Sequence, residues 1–324
     1  MDLQITDPEF ITSLTNQAIP VDPTEPIQVE NIKEETTWEY ATVSYDTIWA
    51  DGILVPLVLR HYRSTVSLWQ TQDLNKANRE WAVLRRLRLD GYPAPRPVAQ
   101  GETDFGSFLI WQRPIGESWY RPELDFAEQA KPLIPQLANV MSMLHALDQN
   151  SLNHEPLYQA TVAGTLVRML LWSREIGSED MRQMIARLKP AVAQIESWRP
   201  VLLHGNPNLD NVLVNDNEIT AVLNWENAAI GDPRWDVMAA AYWIHQRDQT
   251  LADQLVNWYE TFTGKTITDR SFWWALISVR TWALKAWVDY GVRHKTLPIT
   301  YAGWIADLPI AKERAFQDLT TAGL

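Results

Sequence analysis

Apolar residues step by three and four along most of the second half of the chain. Leu133, Leu137, Val140, Met141, Leu144 and Leu147 trace one face of a helix. Similar periods predict helices near residues 160–175, 180–198, 234–247, 250–263, 270–291 and 301–320. The earlier part reads differently. From Trp38 to Arg63, β-branched and aromatic residues gather in YATVSY and ILVPLVLRHY, which predict two strands separated by a turn near Asp51-Gly52. Leu74 to Leu89 predicts a helix with Trp81, Leu84, Leu87 and Leu89 on its apolar face, stopped by Gly91-Tyr92-Pro93-Ala94-Pro95. SFLIWQ, residues 107–112, predicts a short buried strand, and Arg113 to Gly116 a linker. One island interrupts the helical half. In residues 201–226, VLLHGNPNLDNVLVNDNEITAVLNWE, short apolar runs flank an Asn-Asp-Asn turn at 215–217 and predict a hairpin.

This pattern divides the chain into an acidic N-terminal extension (1–36), a small sheet-rich lobe (37–115) and a helical lobe (116–324) that carries the hairpin. The first 36 residues hold eight acids against the single base Lys33, with Pro8, Pro20, Pro23 and Pro26 among them. Charge and proline together predict an extended or mobile arm. Over all 324 residues the formal charge is −12. Nucleic acid is therefore a poor expectation, because its binders present a basic face. There is no cysteine, which excludes disulfides, thiolate metal sites and cysteine nucleophiles. The longest apolar run, Val237 to Ile244, falls far short of the roughly 20 residues that span a membrane. MDLQITDPEF has neither a basic nor an apolar leader region, so the expectation is a cytoplasmic protein.

Chemistry concentrates in the island and just after it. His204-Gly205-Asn206 is followed by Asn211. Val222-Leu223-Asn224-Trp225-Glu226 comes next, and then Ala229-Ile230-Gly231-Asp232-Pro233-Arg234-Trp235-Asp236. In order and spacing these blocks resemble the aminoglycoside phosphotransferase and choline kinase family, as do Gly91 to Arg96 and Leu144-His145-Ala146-Leu147-Asp148 upstream. The resemblance runs over about residues 38–290 and implies a two-lobed, protein-kinase-like α+β fold. That fold has a small antiparallel-sheet N-lobe and a mainly helical C-lobe. Residue by residue, it implies that Asn206 stands at the catalytic Asp position and that Asn211 and Asn224 stand at the metal ligands. Arg60 stands at the phosphate-contacting lysine and Glu80 at its partner. His204 and Asp236 would hold the loop.

The same correspondence removes chemistry. An amide has nearly the shape of a carboxylate, yet it accepts no proton at neutral pH and offers magnesium no charge. Losing a general base alone costs about 10²–10⁴ in rate. The family's glycine-rich turn between the first two strands has no counterpart: the first glycine is Gly52, and Thr42 to Thr47 is bulky or β-branched. The expectation is a pseudokinase that binds ATP weakly or not at all, holds no magnesium, and serves an unknown protein or small-molecule ligand. The alternative is a working kinase for a hydroxyl on a cationic or amino-containing acceptor, with Glu226 or Asp210 covering for the lost carboxylates. His145 and Asp148 read as capping or hydrogen-bonding residues. The late tryptophans, Trp258, Trp273, Trp274, Trp282 and Trp287, read as core before cation cage, and Trp225 and Trp235 as core.

Overall fold

The structure, a computed structural model, describes residues 7–19, 27–36, 40–49, 51–62, 76–104, 106–148, 157–297 and 299–324. The chain forms two compact units. One comprises Met1–Glu117, His154–Pro156 and Val212–Asn227; the other comprises Ser118–Asn153, Leu157–Asn211 and Ala228–Leu324.

The first unit is built on an antiparallel sheet of β1 (Gln28–Thr36), β2 (Tyr40–Ile48), β3 (Leu54–Tyr62), β4 (Arg96–Thr103) and β5 (Gly106–Gln112), in the order β1-β2-β3-β5-β4. β3 is central, and its residues from Leu57 to Tyr62 are all buried, so both faces are covered. Leu57 and Leu59 point one way, into a core with Val43, Tyr45, Ile110 and Phe108 that is capped by helix α1 (Pro8–Ala18). The alternation of a strand then puts Val58, Arg60 and Tyr62 on the opposite face. Helix α2 (Lys76–Leu89) completes the scaffold. Its buried stripe is Glu80, Val83, Leu84 and Leu87; Trp81 is only half-buried and Leu89 stands 79% exposed. The expected apolar face was thus rotated, because it passed over a carboxylate that belongs to the interior.

Where the acidic segment is described, at residues 7–19 and 27–36, it forms α1 and β1 and not an extended arm. Asp7 caps α1 by accepting from Glu9 N at 3.0 Å, and Pro8 sets its first turn. Ile11 and Leu14 enter the core, and Thr15 hydrogen-bonds the Tyr45 hydroxyl at 3.0 Å. β1 pairs with β2 through a bulge between Glu30 and Lys33, where Asn31 takes a φ of 54°. This extra strand also moves the first inter-strand connection to residues 37–39, outside the described residues. Thr42 to Thr47, expected to stand in for the glycine-rich turn, lie inside β2 in unbroken register with β3.

The hairpin of β9 (Val212–Asn215) and β10 (Glu218–Val222), with the two-residue β6 (Glu117–Ser118) in the same sheet, turns at Asp216 and Asn217, φ 50° and 63°. Two positive φ values are the signature of a type I′ turn. The hairpin groups with the sheet unit, whereas residues 201–211 group with the helices. Val222 N donates to Pro93 O at 2.8 Å, and Trp225 meets Tyr92 edge-on with centroids 5.6 Å apart.

The second unit contains α3 (Phe126–Ala130), α4 (Ile134–Ala146), α5 (Val162–Glu175), α6 (Glu179–Leu188), α7 (Arg234–His245), α8 (Gln249–Thr263), α9 (Arg270–Arg293) and α10 (Leu308–Thr321). Short strands β7 (Tyr158–Ala160), β11 (Ala229–Gly231) and β8 (Val201–Leu203) form a three-stranded sheet, with β11 in the centre. Gly231 is required there: a Cβ would lie 2.6 Å from Ala160 O. No helix among the described residues is long and apolar enough to cross a membrane.

Candidate functional site

In the sheet unit, one buried cluster gathers Arg60, Glu80, Asn224 and Glu226. Arg60 Nη1 lies 3.2 and 3.1 Å from the two Glu80 oxygens and 3.4 Å from Glu226 Oε2. Arg60 Nη2 donates to Asn224 Oδ1 at 2.6 Å. A guanidinium has only donors, so the Asn224 amide must turn its oxygen inward. Tyr62 Oη donates to Glu80 Oε2, and Trp225 N to Glu80 Oε1 at 3.3 Å. Arg79 Nη1 holds the Glu226 carbonyl at 2.7 Å, and the Arg60 guanidinium stacks 5.0 Å from the Trp111 ring centroid. Burial pushes the Glu80 carboxyl above its ordinary range; Arg60 pulls it back, and the Glu226 charge adds to the rise. Burial and the Glu80 charge raise the Tyr62 phenol, which keeps it a donor. Asn224 itself has φ 66°, a left-handed conformation that asparagine tolerates better than most residues.

In the helical unit, β8 delivers the chain into His204. Asp236, fully buried in the first turn of α7, accepts from His204 N at 2.7 Å and Gly205 N at 3.0 Å. His145 Nε2 approaches the same carboxylate at 3.4 Å, while its Nδ1 meets the Tyr259 hydroxyl at 2.8 Å. His204 Nδ1 accepts from Asn206 N at 3.2 Å, and Asn211 Nδ2 donates to Asn206 O at 2.8 Å. Asn208 Nδ2 donates to the Asn206 side-chain oxygen at 3.0 Å. The segment is a closed ring of short hydrogen bonds around Asn206, which itself remains exposed.

A backbone loop fixed this way in the helical unit, and a buried Arg–Glu pair on the five-stranded sheet of the other unit, are each features of a kinase-like fold. The profile of the phosphotransferase enzyme family matches residues 41–271. The chain belongs to that family. Among solved structures, the putative aminoglycoside phosphotransferase of Ralstonia eutropha JMP134 superposes with a TM-score of 0.76 at 17% identity, covering 97% of this chain and 98% of that one. A thermostable mutant of aminoglycoside phosphotransferase APH(4)-Ia, in ternary complex with ADP and hygromycin B, gives 0.66 at 17% identity over 97% and 98%. The macrolide 2′-phosphotransferase MphH of Brachybacterium faecium gives 0.62 at 18% identity over 93% and 97%. No curated protein matches the sequence significantly. These likenesses establish a protein-kinase-like fold.

For a phosphotransferase-family protein, the donor set is unusual. Among the described residues, no group of three or more His, Asp or Glu side chains is placed to hold a metal ion. The Asn224 oxygen already receives Arg60, so a magnesium ion there would face a guanidinium instead of a carboxylate. These residues do not fit a hard divalent cation. Glu226, weighed as a substitute ligand, is committed to Arg60 and to Asn227 Nδ2 at 3.3 Å.

The aromatic expectations divide. Trp225, Trp273, Trp282 and Trp287 are buried, and Trp258 stands 41% exposed, stacked on Phe262. Trp235 is only half-buried, under the Arg280 guanidinium at 5.1 Å. Tyr62, Arg79 and Trp111 were missed in the sequence. Tyr62 had a signal, since it shares a strand face with Arg60; Arg79 had none.

Proposed function

We propose that this chain is a catalytically silent member of the phosphotransferase family, a pseudokinase that works by binding and not by phosphoryl transfer. The observation that supports the reading is the 2.6 Å contact between Arg60 and Asn224. Phosphoryl transfer depends on positioned cations and on a loop aspartate that accepts the substrate proton. Here the position corresponding to the metal ligand is a neutral amide that binds an arginine of the same chain. The position corresponding to the aspartate is Asn206, which cannot take a proton at neutral pH. Both changes keep hydrogen-bonding shape and delete charge, a combination that preserves a folded site while disabling its reaction.

A thermal-shift titration of ATP with and without magnesium tests this. The expected result is a melting temperature indifferent to magnesium at every ATP concentration. Stabilisation by several degrees that requires magnesium overturns the proposal, because a ligand of the native state raises stability in proportion to its occupancy.

A further inference from the structure

Helix α2 carries five bases, and two of them stand without an acidic partner among the described residues. Lys76 and Arg79 are buried, and Arg86 pairs with Asp90 at 2.9 Å. Arg85 and Arg88 are exposed, and neither meets a carboxylate among the described residues. The one acid within the helix, Glu80, faces inward to Arg60. A chain with 40 acids against 28 bases thus presents a basic stripe here.

Arg85 is the centre of the stripe. Trp81 lies one turn before it, and Arg88 and Leu89 lie one turn after, at the spacings that share a helix surface. The Arg85 guanidinium carbon sits 5.9 Å from the ring centroid of the half-buried Trp81. Stacking occupies the flat face of the guanidinium and leaves its in-plane N–H donors directed outward, where a carboxylate can take two of them. Leu89 is 79% exposed, which is ordinary for a lone apolar side chain. Beside the Trp–Arg pair it becomes the second apolar end of a short charged strip. The helix dipole favours cations in the last turn, which accounts for Arg86 and Arg88 but not for Arg85. Arg85 and Arg88, three residues apart, repel each other until an anion lies across them.

The strip is also rigid. Tyr92 N donates to Leu87 O at 3.0 Å and Gly91 N to Arg88 O at 3.3 Å, with Gly91 at a φ of 69°. This is a Schellman end, with the buried Tyr92 and Leu87 as its apolar pair. A partner meets a backbone that is already ordered, which lowers the cost of binding.

We propose that Trp81, Arg85, Arg88 and Leu89 form the docking surface for an acidic segment of a partner protein. Two carboxylates of the segment pair with Arg85 and Arg88, and its apolar side chains pack on Trp81 and Leu89. Charge complementarity carries the choice. Membrane surfaces engage clusters of about four to eight bases, and two arginines on a chain of net charge −12 do not supply that field. Two planar forks one turn apart match two carboxylates instead, and Trp and Arg dominate binding energy at protein interfaces. The proposal does not depend on whether the chain transfers phosphate.

Fluorescence anisotropy with labelled eight-residue peptides tests this on the full chain; extended, they cross the roughly 12 Å of helix from Trp81 to Leu89. Each peptide carries two glutamates at varied spacing, with a leucine or phenylalanine outside each. At least one is expected to bind, and its Glu→Gln counterpart to bind about tenfold more weakly. Arg85→Glu and Arg88→Glu should each weaken binding by about tenfold, while Lys33→Glu, at an exposed base on β1, leaves it unchanged. The variant with both reversals should bind the Glu→Lys peptide, a rescue that loss of stability cannot produce. Arg85→Gln, which removes the charge without reversing it, reports if melting curves show the reversed variants unfolded. A panel without a binder, equal binding of the Glu and Gln peptides, or an equal loss in Lys33→Glu overturns the proposal. Arginine-dependent binding to phosphatidylserine vesicles, or arginine-dependent dimers without peptide, also overturns it, by making the occupant a lipid surface or a second copy.

Discussion

The Arg60 guanidinium carries donors in one plane, and three side chains accept from its two terminal nitrogens. A charge buried this deeply is tolerated only when its partners are complete. Removing one partner should therefore cost far more than the pair contributes. Glu80→Ala is expected to lower unfolding free energy by about 3–5 kcal/mol, read from the denaturant midpoint at constant slope. Glu80→Gln, which keeps shape and an acceptor, should cost less. Equal losses would mean that packing, not charge, holds the cluster. The members of this cluster were partly legible. Arg60, Glu80 and Asn224 stand out because each falls at a fixed distance from a recognisable block. Their mutual contact does not, since Arg60 and Asn224 stand 164 positions apart in the chain. The family pattern gives the two positions separately, with no hint that Arg60 donates to Asn224.

At the scale of elements, the helical half was readable wherever one apolar face repeats over several turns, as in α4, where Leu137, Val140, Met141 and Leu144 are all buried. The N-terminal elements were not. Proline and acidic residues dominate the composition of the first 36 residues, and composition overrode the local signal. That signal was present: Asp7-Pro8-Glu9 is a helix start, and Ile11, Leu14 and Thr15 follow at helical spacing. β1 was hidden by its bulge, since one extra residue at Asn31 breaks the two-residue alternation that identifies a strand. α1 is thus part of the core and not an appendage. Leu14, 5% exposed against the sheet, should cost about 2–5 kcal/mol when changed to Ala. Asp7→Ala should cost about 1 kcal/mol through loss of the cap. A chain in which both changes leave the midpoint of chemical denaturation unmoved would have a detachable helix after all.

For the molecule as a whole, the two asparagines raise the question of reversal. Asn206→Asp and Asn224→Asp add no volume, so a site disabled only by amides should recover when they are undone. The structure argues otherwise for position 224. A carboxylate there would face Arg60 where the amide now accepts at 2.6 Å, and turn a hydrogen bond charged on the donor side alone into an ion pair. The guanidinium would be bound more tightly, and a metal ion would have to displace it before reaching the new carboxylate. Glu80 and Glu226 already answer the Arg60 charge, so a third carboxylate also adds repulsion inside a buried cluster. At position 206 an aspartate would restore a proton acceptor with no metal beside it to use it. The double variant is therefore expected to show no magnesium-dependent release of ADP above the unaltered protein, assayed with amino-alcohols and aminoglycosides as acceptors. An ordinary kinase turns over at roughly 1–100 per second. Turnover within a few hundredfold of that range would show that the arginine yields to the metal, and that the two amides alone had silenced the protein.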